Sequence, residues 1–214
     1  PWSCNTCDAA AEGGHLGVLH WAYENKCPFS SKAVVHAAAN GHVWILAWLI
    51  DRSASFCWEA VTAAARNGQL EVLKMVRALH GSAYADMGGD ACSAAAAGGH
   101  LACLTFLVEE LEVGLWYNEC MENAVVCPLG RPYGPHMKVV RWLLDYHRTE
   151  EEFAFSGDVL QVAASRDYRE VLVLAKAHGC FGYKHLTDEL CEMAASGGHL
   201  ALLEWLCAPE QGLV

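Results

Sequence analysis

The chain has 214 residues, of which 54% are hydrophobic and 18% are charged, which is enough apolar material for a core and too little charge for a disordered chain. Its 25 acidic residues outnumber its 14 basic ones, giving a formal net charge of −11, which argues against a nucleic-acid partner because phosphate binding needs clustered lysine and arginine. Charged residues or glycine interrupt every apolar run well before the ~18 residues of a membrane-spanning helix, so we expect no direct membrane insertion.

A histidine that follows glycine divides the chain into similar segments. The stretch AAAEGGHLGVLHW from Ala9 to Trp21 returns as AAAAGGHLACLTF from Ala94 to Phe106 and as MAASGGHLALLEW from Met193 to Trp205. We call the residue at this histidine position the anchor, and the anchors stand 27 to 36 residues apart: His15, His42, Gln69, His100, His136, Tyr168 and His199. The sequence therefore predicts seven repeats in a single domain of residues 1–214, with approximate bounds 1–27, 28–54, 55–83, 84–114, 115–154, 155–180 and 181–214.

Each repeat predicts two helices joined by a tight turn. The first helix carries small residues four and five positions before the anchor and a larger residue eight before it, as in Val34–Ala38. The second helix carries apolar residues three, four, six and seven positions after the anchor, as in Ile45–Leu49. The glycine before the anchor fits a left-handed C-cap. Hydroxyl residues twelve positions before the anchor fit N-caps: Ser3, Ser30, Ser156 and Thr187.

The fifth and sixth repeats are irregular. In the fifth, CPLGRPYGPH from Cys127 to His136 inserts roughly six residues into the turn between the helices, and its three prolines and two glycines predict that no helix forms there. In the sixth, ASRDYREVL from Ala164 to Leu172 replaces the Gly-Gly-His-Leu corner with a polar version of the same turn. The acidic run at 150–152 between them predicts a solvated loop.

The pattern Ala-Ala-x-x-Gly-His-Leu resembles the helical half of the ankyrin repeat over essentially the whole chain. The Thr-Pro-Leu-His opening of that family is absent, and repeats of 27 residues are shorter than its ~33, so we expect the projecting hairpin to be trimmed to a turn. The junctions NKCPF at Asn25–Phe29 and HGCF at His178–Phe181 resemble a shortened, Trp-containing variant of the family. The resemblance implies an all-α, ankyrin-like solenoid of about seven helix-turn-helix repeats, whose first helices line a concave side where partners dock.

The anchor side chain is interpreted as structural. Stacked repeats lie ~8–10 Å apart, too far for imidazoles of successive repeats to share one zinc ion. Gln69 and Tyr168 replace histidine at two anchors, and they keep its hydrogen-bonding ability but not its acid–base chemistry. We expect the anchor to bond backbone groups at the turn and to tie adjacent repeats together.

The 11 cysteines are interpreted as reduced thiols, because their number is odd and they are spread through a chain with a large core. Cys7, Cys92 and Cys191 occupy the core position eight before the anchor, and Cys103 occupies the one three after it. The lone CxxC at Cys4–Cys7 lacks the second pair that a structural zinc site needs. We expect an intracellular, reducing compartment, the cytoplasm or alternatively an organelle stroma. The opening PWSC, without initiator Met or apolar signal, indicates a fragment or a chain whose leader is missing.

Catalytic motifs are not found in the sequence. It has no Gly-x-Ser-x-Gly nucleophile elbow and no phosphate-binding glycine loop after a strand; the GGD at Gly88–Asp90 starts a helix. Its carboxylates fall at helix starts and on outer faces. We therefore predict a protein that is not an enzyme, with no catalytic residues, no metal site and no cofactor.

The predicted binding surface lies on the first helices, at the positions ten and seven before the anchor, which point away from the core stripe. The row ten before is largely acidic, and the row seven before includes Asp8 and Ser93. Aromatic residues beside charges suit a protein interface, although acids at helix starts also stabilise the helix dipole whatever binds. The candidate partner-binding residues are Trp58, Glu59, Asp90, Trp116, Tyr117, Asp158, Tyr183 and Glu189. The insert of the fifth repeat adds Leu129, Arg131 and Tyr133.

These features predict a scaffold or adaptor that binds one or more protein partners, with a basic surface, on its concave face. The alternative is an architectural or linker subunit fixed within a larger multi-protein assembly, which the proline-rich insert favours because such a loop can lock against one partner. A thiol or zinc enzyme is the third alternative.

Overall fold

A computed structural model describes residues 3–81, 90–126, 133–146, 155–178 and 184–208. These residues contain fourteen helices and no strand, so the predicted all-α class is confirmed. The helices are α1 (Cys4–Glu12), α2 (Leu16–Glu24), α3 (Ser31–Ala39), α4 (Val43–Asp51), α5 (Trp58–Arg66), α6 (Leu70–His80), α7 (Asp90–Gly98), α8 (Leu101–Glu109), α9 (Tyr117–Val125), α10 (Tyr133–Tyr146), α11 (Gly157–Ser165), α12 (Arg169–Ala177), α13 (Lys184–Ser196) and α14 (Leu200–Cys207).

The helices pack as pairs within two units, unit 1 (Pro1–Trp116, α1 to α8) and unit 2 (Tyr117–Val214, α9 to α14). Each odd-numbered helix packs against the even-numbered helix that follows it. Within unit 1, α1, α3, α5 and α7 contact one another in chain order, as do α4, α6 and α8. Within unit 2, α9, α11 and α13 follow the same order. Neighbouring pairs in a unit therefore bury each other's apolar faces.

Alanine forms the contact face of the odd-numbered helices. Ala37 and Ala38 in α3 and Ala64 and Ala65 in α5 are fully buried, and they let the two helices approach closely because alanine has no atoms beyond Cβ. The even-numbered helices supply larger side chains, each contributing ~1.5–3 kcal/mol when fully buried. Four positions after the anchor, the buried residues are Leu19, Leu46, Leu73, Leu104, Val140 and Leu172.

Some predicted core positions are less buried than expected. Val18 in α2 is 52% exposed, and Cys191 and Ala195 in α13 are not fully buried. These residues belong to the first pair of unit 1 and the last pair of unit 2. The position six after the anchor, which was predicted to be core, is at least partly exposed in every repeat and lies at the edge of the apolar face: Trp21, Trp48, Met75, Phe106, Trp142, Leu174 and Trp205. At Trp48 the Arg52 guanidinium lies 4.0 Å from the ring centroid.

The turn between the two helices is closed by a left-handed residue in six pairs, and the turn of the fifth pair lies largely outside the described residues. The backbone φ lies between +73° and +78° at Gly14, Gly41, Gly68, Gly99 and Gly198. The next amide, that of the anchor, donates to the carbonyl five residues earlier, as in His42 N to Ala37 O at 2.9 Å. This is the Schellman arrangement, which satisfies a carbonyl at the end of the odd-numbered helix. In the sixth repeat Asp167 adopts the same conformation at φ +56°, so its polar turn is a version of the same corner.

Two predicted helix starts are wrong. Helix α10 begins at Tyr133, inside the insert that was expected to be non-helical, because Pro135 lies in the first turn, where its missing N–H needs no partner within the helix. His136 is consequently inside α10 and 1% exposed, instead of capping the helix. Thr187 is not an N-cap either, since α13 begins three residues earlier at Lys184 and buries Thr187.

The turn glycines predict a specific loss of stability. A Cβ on Gly68 would lie 2.6 Å from His100 Nδ1 of the next pair, and φ is +73° there. We expect Gly68→Ala to lower the free energy of unfolding by about 1–3 kcal/mol, from left-handed strain and the clash with the imidazole. Urea denaturation followed by circular dichroism measures the change.

The control is Gly17→Ala in α2, where an added Cβ meets no atom within 4 Å. Since alanine favours a helix over glycine, this variant should keep or slightly increase stability, by less than about 1 kcal/mol. Unchanged stability in Gly68→Ala would contradict the role given to this turn.

Candidate functional site

The anchor side chains bond to the preceding helix pair. His42 Nε2 lies 3.0 Å from the carbonyl oxygen of Glu12, the last residue of α1. A carbonyl oxygen only accepts, so Nε2 carries the hydrogen and donates. The carbonyls of a last helical turn have no partner within the helix, so the neighbouring pair supplies a donor that the helix lacks.

The same contact is made elsewhere with different chemistry. Gln69 Nε2 donates to the Ala39 carbonyl at the end of α3, at 3.3 Å. His199 Nε2 lies 2.8 Å from the Ser165 carbonyl at the end of α11. An amide can replace an imidazole here because the contact needs only an N–H donor. The predicted structural role of the anchor is therefore confirmed at His42, Gln69 and His199.

A shallow groove lies between the starts of α3 and α5 in unit 1. Its lining residues are Ser31, Lys32, Val35, His36, Cys57 and Glu59. Trp58, the first residue of α5, follows the groove residue Cys57 and is 50% exposed. Glu59 and Asp90 are exposed in the first turns of α5 and α7, as predicted, where they also favour the helix starts. The groove thus presents charged rims and one large aromatic neighbour.

The thiol in this groove is unreactive at neutral pH. Burial raises the pKa of Cys57 above its ordinary value, and the neighbouring Glu59 carboxylate raises it further, against an opposing hydrogen bond from the Ala60 backbone. A thiol rather than a thiolate stands in the groove, and the thiol is a weak nucleophile.

Unit 2 places its predicted acids on α11 and α13. Asp158 is exposed in the first turn of α11. Glu189 is partly buried, is six residues into α13, and accepts a hydrogen bond from Gln161 Nε2 of α11 at 3.0 Å. Its predicted place at a helix start is therefore wrong, because α13 begins earlier than expected. A small groove between α9 and α11 is lined by Tyr117, Asn118, Met121, Glu122, Phe155, Ser156 and Val159.

Asp8 is buried, contrary to the surface role predicted for the position seven before the anchor. Its side chain is 6% exposed, and the carboxylate accepts hydrogen bonds from Ser30 N at 3.1 Å and Ser30 Oγ at 2.6 Å. Ser30 is the N-cap of α3, so Asp8 fixes the start of the next helix pair. Glu122 and Ser156 make the corresponding contact in unit 2, at 3.4 Å. Ser93, seven before its own anchor, is also buried.

The predicted partner-binding residues divide between the two units. Unit 1 holds Trp58, Glu59, Asp90 and the half-exposed Trp116, and unit 2 holds Tyr117, Asp158 and Glu189. Leu129, Arg131 and Tyr183 lie outside the described residues, as does the side chain of Tyr133, which begins α10.

One exposed aromatic residue escaped the sequence-based prediction. Trp44 in α4 is 81% exposed, more than any other large hydrophobic side chain among the described residues. It contributes to a groove lined by Gly14, Leu16, Gly41, His42, Val43, Trp44, Ile45 and Glu71. It stands two after its anchor, where the other repeats carry small or charged residues: Gly17, Glu71, Ala102, Lys138, Glu170 and Ala201. A tryptophan at an outward position was the available signal.

The buried cysteines behave as small apolar residues. Cys7, Cys92 and Cys103 are fully buried, as predicted, whereas Cys191 is only partly so. Burial raises the pKa of Cys7 to about 12 and that of Cys103 to about 11. Over the described ranges no group of three or more His, Cys, Asp or Glu residues is placed to hold a metal ion. No helix described here is long and apolar enough to cross a bilayer.

Comparison with models of known protein families found no match, and comparison with curated proteins found no significant sequence match. Function is therefore inferred from the residues described above.

Removal of a buried, hydrogen-bonded acid should lower stability more than removal of an exposed acid at a helix start. We expect Asp8→Ala to lower the free energy of unfolding by about 1.5–3 kcal/mol, because Ser30 loses two hydrogen bonds to a buried carboxylate. Glu59→Ala should cost less than about 1 kcal/mol, the value of an exposed acid at a helix start. Urea denaturation of the two variants compares them, and equal costs would contradict the separation of structural from surface acids.

Proposed function

We propose that this chain is an ankyrin-like solenoid of seven repeats that serves as a non-enzymatic scaffold for a protein partner. The observation that carries the proposal is the groove at the starts of α3 and α5, where half-exposed Trp58 stands beside exposed Glu59. Tryptophan is enriched among residues that dominate binding energy, and a surface built on packed helices loses little entropy on binding. The chain-order packing of helix pairs within each unit supports the solenoid.

The partner is a protein with a basic surface that docks on the odd-numbered helices. The chain carries a formal net charge of −11. Helices α9 and α11 contain no lysine or arginine, and they expose Glu119 and Asp158. Unpaired surface carboxylates of one sign steer an oppositely charged partner and accelerate its association at low salt.

Nucleophilic catalysis by Cys7, Cys57 or Cys103 is disfavoured by their surroundings. The raised pKa values of Cys7, Cys57 and Cys103 keep these thiols protonated at neutral pH. Their environment suits packing and not nucleophilic catalysis. We place the protein in a reducing compartment, the cytoplasm or an organelle stroma, because its 11 cysteines are odd in number and spread through the chain.

A second candidate function is a subunit held permanently in a larger assembly. The observation that favours it is Trp44, exposed in a groove beside Leu16 at the turn end of α2 and α4. Permanent interfaces are more apolar than transient ones, so such a surface suits a partner that does not leave. The two functions use different faces of unit 1 and can be separated by mutation.

Charge reversal on the odd-numbered helices tests the first function. The variant Glu59→Lys, Asp90→Lys, Asp158→Lys should reduce recovery of basic partner proteins from an extract of the native source by at least about tenfold, because acidic steering and rim contacts are lost. Quantitative mass spectrometry of proteins captured by the tagged full chain measures the loss, with helical circular dichroism to check folding.

The matched control is Glu109→Lys, Asp145→Lys, Glu204→Lys, which makes the same charge change at exposed positions of even-numbered helices. It should retain the partners. An equal loss of partner proteins in both variants would show that net charge alone causes the effect, and would contradict the proposed surface. Retention in both, with loss on Trp44→Ala but not on Leu79→Ala at a half-exposed position of α6, would favour the fixed subunit.

A further inference from the structure

Two cysteines of the last helix pair lie in contact. The Cys191 and Cys207 sulfur atoms, from α13 and the last residue of α14, are 3.9 Å apart. A disulfide brings its sulfur atoms to about 2.05 Å, so closing this gap needs side-chain rotation and a small helix movement. Cys207 is exposed and Cys191 is partly exposed.

The other contacting cysteines are shielded from solvent. Cys7 and Cys27 are 0% and 1% exposed in unit 1. Cys7 donates a weak hydrogen bond to the Cys27 carbonyl, and Cys27 donates one to the Ser3 carbonyl at 3.4 Å. An oxidant reaches thiols according to their exposure, so the pair in the last helix pair is the reactive one of the two.

We propose that Cys191 and Cys207 form a reversible intrachain disulfide that joins α13 to α14 when the protein meets a peroxide. The Cys207 thiolate attacks one peroxide oxygen, so that an S–O bond forms, the O–O bond breaks and, after protonation, water leaves. The Cys191 sulfur then attacks the sulfenic acid, the S–S bond forms, the S–O bond breaks and a second water leaves. The two thiols lose two electrons in total and hydrogen peroxide is reduced to two water molecules; a dithiol reverses the reaction.

Exposure sets the order of the two steps. Cys207 meets the oxidant first because it faces solvent. Cys191 is less exposed, and its sulfur, 3.9 Å from that of Cys207, makes it the resolving group already in place. A resolving cysteine held next to a sulfenic acid protects it from further oxidation.

The disulfide would act on the least buried part of unit 2. Ala195 of α13 is exposed, whereas its counterparts Ala38 and Ala164 are fully buried. The last pair ends with the exposed Cys207 and packs on one described neighbouring pair, through α11 and α13. A covalent link across residues 191–207 restricts the opening of this pair, and amide hydrogen exchange in α14 should slow on oxidation.

Mass spectrometry of the full chain treated with stoichiometric hydrogen peroxide tests the proposal. The expected result is a loss of about 2 Da, a cross-linked peptide containing Cys191 and Cys207, and full reversal by dithiothreitol. Cys191→Ser should leave a sulfenic acid on Cys207 that dimedone traps, and Cys207→Ser should give no loss of mass. Cys4→Ser, at a similarly part-exposed cysteine, is the control and should still form the cross-link.

Separate alkylation of Cys191 and Cys207 after oxidation, in a chain that remains helical, would overturn the proposal. A disulfide between Cys207 residues of two chains would overturn it too. Neither the cross-link measurement nor the alkylation measurement requires a partner protein, so the result is independent of the test of the proposed scaffold function.

Discussion

The odd-numbered helices end with carbonyl groups that they cannot satisfy themselves, and at three of them the next helix pair supplies the donor. His42 provides it for α1 and Gln69 for α3 in unit 1, and His199 provides it for α11 in unit 2. These contacts are exposed or partly buried, and a hydrogen bond contributes about 0.5–1.5 kcal/mol, so each one couples a pair to its predecessor. The turn glycines Gly14, Gly41 and Gly68 leave room for this contact, because a side chain there would occupy the space of the following anchor.

Contacts between neighbouring helix pairs also divide the polar side chains into two sets. Some form hydrogen bonds to the next pair and stabilise the fold, and others remain in solvent, where a partner can bind them. Asp8 and Glu122 point to the serine N-caps of the following pairs, and Gln161 reaches Glu189 in the next odd-numbered helix. These side chains therefore already have hydrogen-bond partners within their own units. Glu59 in unit 1 and Asp158 in unit 2 stay in solvent at helix starts. The proposed binding surface of unit 1 rests on Glu59 and Trp58, and Trp44 belongs to the face of the second candidate function.

The helix pairs and their turns could be predicted from the sequence because they depend on local chemistry. Glycine before the anchor indicates a left-handed turn, and small residues four and five positions before the anchor indicate a close contact between helices. The exposure of Val18 and Cys191 could not be predicted, since they occupy the same repeat positions as the buried Ile45 and Val61, and burial depends on packing between helix pairs that the repeat pattern does not specify. The start of α10 differs from the prediction because the first turn of a helix tolerates Pro135, whose missing N–H needs no partner there.

The candidate site was less predictable than the fold. The position of a residue in a repeat indicates which way its side chain points. It does not indicate whether a residue of the next pair forms a hydrogen bond with that side chain, as Ser30 does with Asp8. Trp44 was missed for a different reason: the predicted binding surface lies on the first helices, whereas Trp44 occupies an outward position of a second helix, where the other repeats carry small or charged residues.

A crystal structure of the full chain measures the central contact most directly. The account predicts His42 Nε2 within about 3.2 Å of the Glu12 carbonyl oxygen, and the Gln69 amide at a similar distance from the Ala39 carbonyl. An imidazole turned to solvent with water on the Glu12 carbonyl, or helix pairs packed out of chain order within a unit, would contradict it.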